Sequence, residues 1–234
     1  MEVKKQNPFE EGRVILIDKP LEWTSFDVVQ KLRNIIRIRK IGHAGTLDPL
    51  ATGLLILCTG KFTKKINEYM AREKEYTGSF TLGASTPTYD LESEPVNHQP
   101  LDGIGPAQIR SATGPFTGAI LQVPPAHSAI KVGGKRVYEL ARQGMEVKLE
   151  PRSVVIREFE ITAIHLPVVE FRVVCSTGTY IRSLANDFGA FLGCGAYLSR
   201  LCRTRIGEFE LKDAISIARF EEEARQEINN QKDS

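Results

Sequence analysis

The sequence predicts an α+β fold around a mixed or antiparallel sheet, and three observations predict it. Strand-like segments follow one another as often as they alternate with helices, which disfavours a doubly wound parallel sheet. Neither a Walker-type phosphate loop nor a Gly-x-Gly-x-x-Gly fingerprint occurs. The 234 residues, 41% hydrophobic and 26% charged, suffice for one large or two small domains with a substantial core.

The elements follow in chain order. "RVILIDKP" reads as a short buried strand ended by Asp18-Lys19-Pro20. "TSFDVVQKLRNIIR" places Phe26, Val29, Leu32, Ile35 and Ile36 at helical spacing, with Thr24 or Ser25 as N-cap and Asp27 in the first turn. The Gly-rich stretch "RKIGHAGTLDPLATG" then leads into "LLILCT", a strand. "TKKINEYMAR" reads as a helix, and "EYTGSFTLGAS" alternates Tyr76, Gly78, Phe80 and Leu82 on one strand face. Residues 86–103, rich in Pro, Gly and polar groups, read as a long surface connection. "IGPAQIRSATG" starts a short helix at Pro106 and ends it at Gly114. A hairpin-like turn follows at Gly133-Gly134, then a short helix stopped by Gly144. "RSVVIREFEITAI" and "VVEFRVVCS" are strands, and "TYIRSLANDFGAFLG" is a helix. "EEEARQEINNQKDS" reads as an exposed helix with a frayed tail.

Several classes are excluded. No apolar run reaches the ~18 residues of a bilayer span. The N-terminus has no apolar signal core, so a cytoplasmic protein is expected. Cys58, Cys175, Cys194 and Cys202 form no Cys-x-x-Cys pair, and His98, His127 and His165 have no metal-like spacing to His43, so no metal site is expected. The net charge of +2 is unevenly spread, because residues 208–234 carry eight acidic and four basic groups. "KLRNIIRIRK", with Lys31, Arg33, Arg37, Arg39 and Lys40, and "RLCRTR", with Arg200, Arg203 and Arg205, suit either a polyanionic substrate or a solvated surface.

Asp48 is the foremost candidate for chemistry. It precedes Pro49, which biases it towards extended conformations, and Gly42, Gly45 and Gly53 let the surrounding chain bend. An Asp-Pro turn with an Asx hydrogen bond is the bland alternative. His43, five residues upstream, could contact a phosphate, position the loop or titrate near neutrality. Thr177, Gly178 and Thr179 open a helix carrying Arg182, whose guanidinium would keep a nearby carboxylate ionised. A surface arginine fits the same spacing. Tyr76, on its strand, would stack on a flat ring if it faces a pocket.

The motifs "VILIDKPLEWTS", "GHAGTLDPLATGLL", "KEY", "PPAHSAIKVGGKRVYELARQG" and "CSTGTYIRSLANDFG" occur in the order seen in TruB-type tRNA pseudouridine synthases. The chain resembles that family over residues 13–207, which read as the catalytic domain, with 1–12 as an extension and 208–234 as a helical tail without a PUA domain. The resemblance implies a pseudouridine synthase fold with a mostly antiparallel sheet and a central cleft. It implies isomerisation of uridine 55 in the tRNA T-arm loop by base flipping, without metal, cofactor or guide RNA. By position, Asp48 matches the essential aspartate and Tyr76 the tyrosine that stacks on the target base. Arg182 matches the aspartate's partner, Leu201 a pocket-lining leucine, and His43 the residue that fills the space of the flipped nucleotide. Lys19 and Pro20 match a supporting motif, and Asp90 a residue that contacts loop bases. "STPTYDLES" departs from the family's Thr-Asp-Thr-x-Asp-x-x-Gly run at Pro87 and Ser93. Three roles for Asp48 stay open: attack at the sugar C1′, addition to the ring, or removal of a sugar proton. Two other functions also stay open, a non-catalytic RNA-folding protein and a guide-dependent enzyme acting on ribosomal RNA. A monomer is expected.

Overall fold

A computed structural model describes residues 7–126, 128, 131–132, 135–136 and 149–233. The elements run β1 Val14–Lys19, α1 Ser25–Ile36, β2 Ile41–His43, β3 Ala51–Thr59, α2 Ile66–Ala71 and β4 Lys74–Leu82. There follow α3 Pro106–Ser111, β5 Gly118–Gln122, β6 Lys131–Val132, β7 Lys135–Arg136, β8 Arg152–His165 and β9 Val168–Cys175. The last are α4 Ile181–Leu192, β10 Ala196–Ile206, β11 Phe209–Glu210 and α5 Ile217–Asp233. They form two compact units, Met1–Glu75 with Cys202–Ser234, and Tyr76–Leu201. The expected turn at Gly133-Gly134 and the helix stopped by Gly144 lie outside the described residues, although β6 and β7 pair antiparallel on either side of that turn.

In the first unit β1 and β2 pair antiparallel with β3, and β10 continues the order with β11 on its far end. Strand β3 is greasy without alternation because both its faces are covered. Leu55 and Leu57 pack with α1, Phe220 and Ala224, while Leu54, Ile56 and Cys58 pack with Tyr69 and Ile206. Each such aliphatic side chain contributes about 1.5–3 kcal/mol on burial. Helix α1 starts where the sequence places it. Thr24 Oγ1 accepts from the Asp27 N–H at 3.0 Å and the Asp27 carboxylate accepts from the Thr24 N–H at 2.8 Å, a reciprocal capping box.

Two expectations for this unit change. Phe26 is not on the buried stripe but 62% exposed, because Val28, Val29, Leu32 and Ile36 fill the inward face and residue 26 lies to one side of it. The tail helix is not simply exposed. Helix α5 buries Phe220 and Ala224 and ties Glu221 to Lys31 at 2.9 Å.

In the second unit the order is β10-β4-β9-β8-β5, with β8 antiparallel to both of its neighbours, β9 and β5. Strand β4 buries Tyr76, Gly78, Phe80 and Leu82, the alternation read from the sequence. A Cβ on Gly78 would stand 2.1 Å from the Arg200 carbonyl oxygen, so only glycine lets β4 and β10 approach there. Phe80 stacks on Phe171 at 4.2 Å and meets Phe188 of α4 at 5.7 Å, which seats α4 on the sheet. Helix α3 ends at Ser111, and Gly114 begins a separate 3₁₀ turn. Part of the 86–103 connection is interior: Thr86, Thr88 and Asp90 are buried. All four cysteines are free thiols.

Thr24→Ala should lower stability by about 1 kcal/mol through loss of the cap. Phe26→Ser should change it by less than about 0.5 kcal/mol. Urea unfolding of both variants checks the pair.

Candidate functional site

The Asp48 segment is pinned on both sides by groups from the first unit. Upstream, the Ser25 hydroxyl donates to the Leu47 carbonyl at 3.2 Å and accepts from the Leu47 N–H at 2.8 Å. Downstream, the Asp48 carbonyl accepts from the Ala51 N–H at 3.1 Å and the Pro49 carbonyl from the Glu22 N–H at 2.9 Å. Asp48 itself is half-buried.

Two buried cations complete this frame. Lys19, with no exposed surface, donates from Nζ to the carbonyls of Trp23 (2.5 Å), Pro20 (2.9 Å) and Pro49 (3.3 Å). Burial pushes the Lys19 amine down to about 8; the Asp48 charge opposes that shift and Arg203 adds to it. Arg203 is 1% exposed and donates through Nε to Leu54 O at 2.8 Å, and through its terminal nitrogens to Gly45 O at 3.2 Å and Thr46 O at 3.4 Å. Gly53, at φ 98°, lets this packing occur, since a Cβ there would stand 2.4 Å from the Arg203 carbonyl oxygen. His43 lies on β2 and its pKa is lowered from 6.5, first by burial and then by Arg203, against an opposing interaction with the Gly45 backbone. It is therefore neutral at pH 7 and does not switch there.

Arg203 is the residue that sequence reasoning misplaces. Spacing groups it with the surface cations of "RLCRTR", but it lies inside and is spent on loop carbonyls. Its neighbours differ: Arg205 pairs with Glu73 at 3.2 Å, and Arg200 is exposed. The signal that could have found it is strand phase, because Arg203 stands two residues after the buried Leu201 on the same strand face.

In the second unit the structure brings Arg182 and Asp90 together. Arg182 Nε lies 3.6 Å from Asp90 Oδ2, with both side chains 5% exposed, and an Arg182 terminal nitrogen reaches Thr88 O at 3.5 Å. Asp90 is held by its own turn. Its carboxylate accepts from the Glu92 N–H at 3.0 Å, and its carbonyl accepts from the Thr86 hydroxyl at 2.7 Å and the Thr88 hydroxyl at 3.3 Å. Ser93, one of the two departures from the family run, bonds Thr88 through its hydroxyl at 2.7 Å and so knits this turn. Thr177, Gly178 and Thr179 precede α4 rather than open it. The helix begins at Ile181, after Gln122 has clamped the Tyr180 backbone by bonds of 2.8 and 3.0 Å. Tyr76 and Leu201 are buried on β4 and β10. Among the described residues no His, Cys, Asp or Glu group has the arrangement of a metal site, and no helix is long and apolar enough to cross a membrane.

Chemically, the first unit offers a carboxylate on an immobilised backbone beside a buried ammonium. Asp48→Asn should move the Lys19 titration below about 8, because the attraction that raises it is lost, and Arg203→Met should move it up. NMR titration of the Lys19 side chain checks both signs.

The chain is similar to known proteins along most of its length. Residues 33–181 match the model of the TruB family pseudouridylate synthase N-terminal domain, and 182–233 that of the tRNA pseudouridylate synthase B C-terminal domain. The tRNA pseudouridine synthase B of Flavobacterium johnsoniae is 54% identical over 91% of this chain and 96% of its own length. That of Bacteroides thetaiotaomicron is 49% identical over 97% and 99%. Among solved structures, a chain of the archaeal box H/ACA sRNP Nop10-Cbf5 complex matches at a TM-score of 0.69 and 27% identity, covering 93% of this chain and 55% of that one. This chain thus spans about half the length of that archaeal match. One family model covers well over half of the sequence, and bacterial relatives share about half of its residues along nearly all its length; the chain belongs to the TruB family of pseudouridylate synthases.

Proposed function

We propose that this protein isomerises uridine 55 in the T-arm loop of tRNA to pseudouridine, with Asp48 as the reacting acid. The observation that carries the reading is the immobilised Asp48 backbone, fixed by Ser25, Lys19 and the Ala51 N–H. Supporting it is the 54% identity to a tRNA pseudouridine synthase B along 96% of that protein. The much lower identity and partial coverage of the box H/ACA chain favour the tRNA enzyme over a guide-dependent one.

The reaction breaks the glycosidic C–N bond, turns the uracil and joins its C5 to the same sugar carbon, with the C5 proton lost and N1 taking up a proton, so the product is an isomer of the substrate. The base must first leave the stack of its loop, at a cost of a few kcal/mol. Tyr76 partly restores that loss by stacking on the extruded ring, and Leu201 supplies an apolar wall. His43, neutral at pH 7, contributes volume without charge. Lys19 supports the Asp48 segment from beneath, Arg182 is the proposed partner that keeps the reacting carboxylate ionised, and Asp90, ion-paired with Arg182, contacts the loop bases. Water must be kept from the broken glycosidic bond, because hydrolysis would leave an abasic site. A carboxylate on a rigid backbone suits either nucleophilic or basic work without reorganisation. No metal, redox group or guide RNA enters this scheme.

Asp48→Asn should abolish pseudouridine formation in unmodified tRNA while leaving tRNA affinity nearly unchanged. Mapping pseudouridine after incubation, with a parallel binding isotherm, checks this. Retained turnover in that variant would reject the assignment, and modification at another position would reject uridine 55.

A further inference from the structure

The C-terminus of α1 and the start of β2 carry a basic recess that the scheme above does not use. Arg37, Ile38, Arg39 and Lys40, with Gly60, Lys61 and Glu10, line a cavity of about 520 Å³ within the first unit. Several other basic side chains of this unit are engaged: Lys31 with Glu221, Arg13 with Glu227, Arg72 with Glu68, Arg205 with Glu73 and Lys61 with Glu11. Arg37, Arg39 and Lys40 are exposed and make no ion pair among the described residues. Three neighbouring cations are thus left facing solvent around a concave surface whose one acidic lining residue is Glu10.

The backbone adds a second observation. Arg37 caps α1 in the left-handed conformation, at φ 55° and ψ 37°, and its N–H bonds Arg33 O at 2.9 Å. Glycine or asparagine is the favoured residue at such a cap, because a larger L-residue is strained there. An arginine at this cap gives up backbone stability, and its guanidinium recovers none of it through a bond inside the described protein. Strain of this kind, kept with an unused charge, points outward to a ligand. The floor is rigid, since the Lys40 carbonyl accepts from the Gly60 N–H at 2.8 Å. The recess is also close to the chemistry. The three-residue strand β2, about 10 Å long at ~3.3 Å per residue, leads from Lys40 into the segment that carries Asp48. That is short against the length of an RNA arm.

We propose that the recess of Arg37, Arg39 and Lys40 binds phosphodiester groups of the RNA substrate, as an anchoring site separate from the reacting acid. The inference rests on the functional reading above. Phosphate is favoured over an acidic protein segment because guanidinium groups match its geometry in paired hydrogen bonds, and because a polynucleotide supplies several anions in sequence.

The test compares wild type with the triple variant Arg37→Ala, Arg39→Ala, Lys40→Ala, using unmodified tRNA over a range of KCl concentrations. The triple variant should bind about tenfold more weakly at low salt, with a log–log salt slope smaller by about 0.9 for each duplex phosphate no longer neutralised. Its single-turnover rate at saturating tRNA should equal that of wild type. The single variant Arg37→Gly separates binding from folding. It should raise Tm by about 2–4 °C through relief of the cap while still weakening tRNA binding. A triple variant with wild-type affinity and slope, beside a wild type that binds and modifies tRNA, overturns this inference alone. A wild type that neither binds nor modifies tRNA overturns the functional reading and the recess with it.

Discussion

The structure depends on two cations taken out of water to hold a loop backbone. Lys19 and Arg203 both lie inside the first unit, and between them they bond the carbonyls of Pro20, Trp23, Gly45, Thr46, Pro49 and Leu54. Burying a charge is costly, and here the compensation comes from carbonyl dipoles together with the negative charge of Asp48. The same interactions fix the chain immediately before and after Asp48. A carboxylate on such a frame is held without conformational search, which is the physical content of preorganisation. Both cations lie against strand β3, Arg203 through its bond to the Leu54 carbonyl and Lys19 through the β1–β3 pairing opposite Gly53.

The second unit applies a related strategy to a different group. The Asp90 carboxylate is buried opposite Arg182, and its turn is closed by hydroxyls of Thr86, Thr88 and Ser93. Arg182 is steered there by α4, which sits on Phe80 through Phe188 and is clamped at its start by Gln122. An aromatic cluster thus fixes a helix, the helix fixes a guanidinium, and the guanidinium pairs with the Asp90 turn. Serine at 93 takes part in this closure through its bonds to Thr88, and proline at 87 is compatible with it, because the remaining bonds run through Thr86, Thr88 and Asp90.

The distribution of basic residues separates structural from available charge. Arg203 is consumed inside, Lys31 and Arg13 tie α5 to the rest of their unit, and Arg205 answers Glu73. Arg37, Arg39 and Lys40 remain open to solvent. A count of positive residues along the chain therefore overstates the charge offered to a polyanion, and the paired fraction becomes visible only when partners are known.

Much of this was legible in the sequence because the signals are local. The capping box of α1 needs residues three apart, the β4 alternation needs residues two apart, and β3 needs only an unbroken apolar run. Asp48 also stood out locally, through Pro49 and the flanking glycines. What only the tertiary structure decided is where long, charged side chains end. Arg203 meets carbonyls some 150 positions earlier in the chain, Arg182 meets Asp90 from a helix far downstream, and Phe26 falls on the wrong side of its own helix because Val28 and Val29 fill the inward stripe. Local propensity sets backbone conformation within a few residues. The pairing of a flexible cation depends on distant chain segments and is not encoded by spacing along one sequence, even where strand phase points to its burial, as at Arg203.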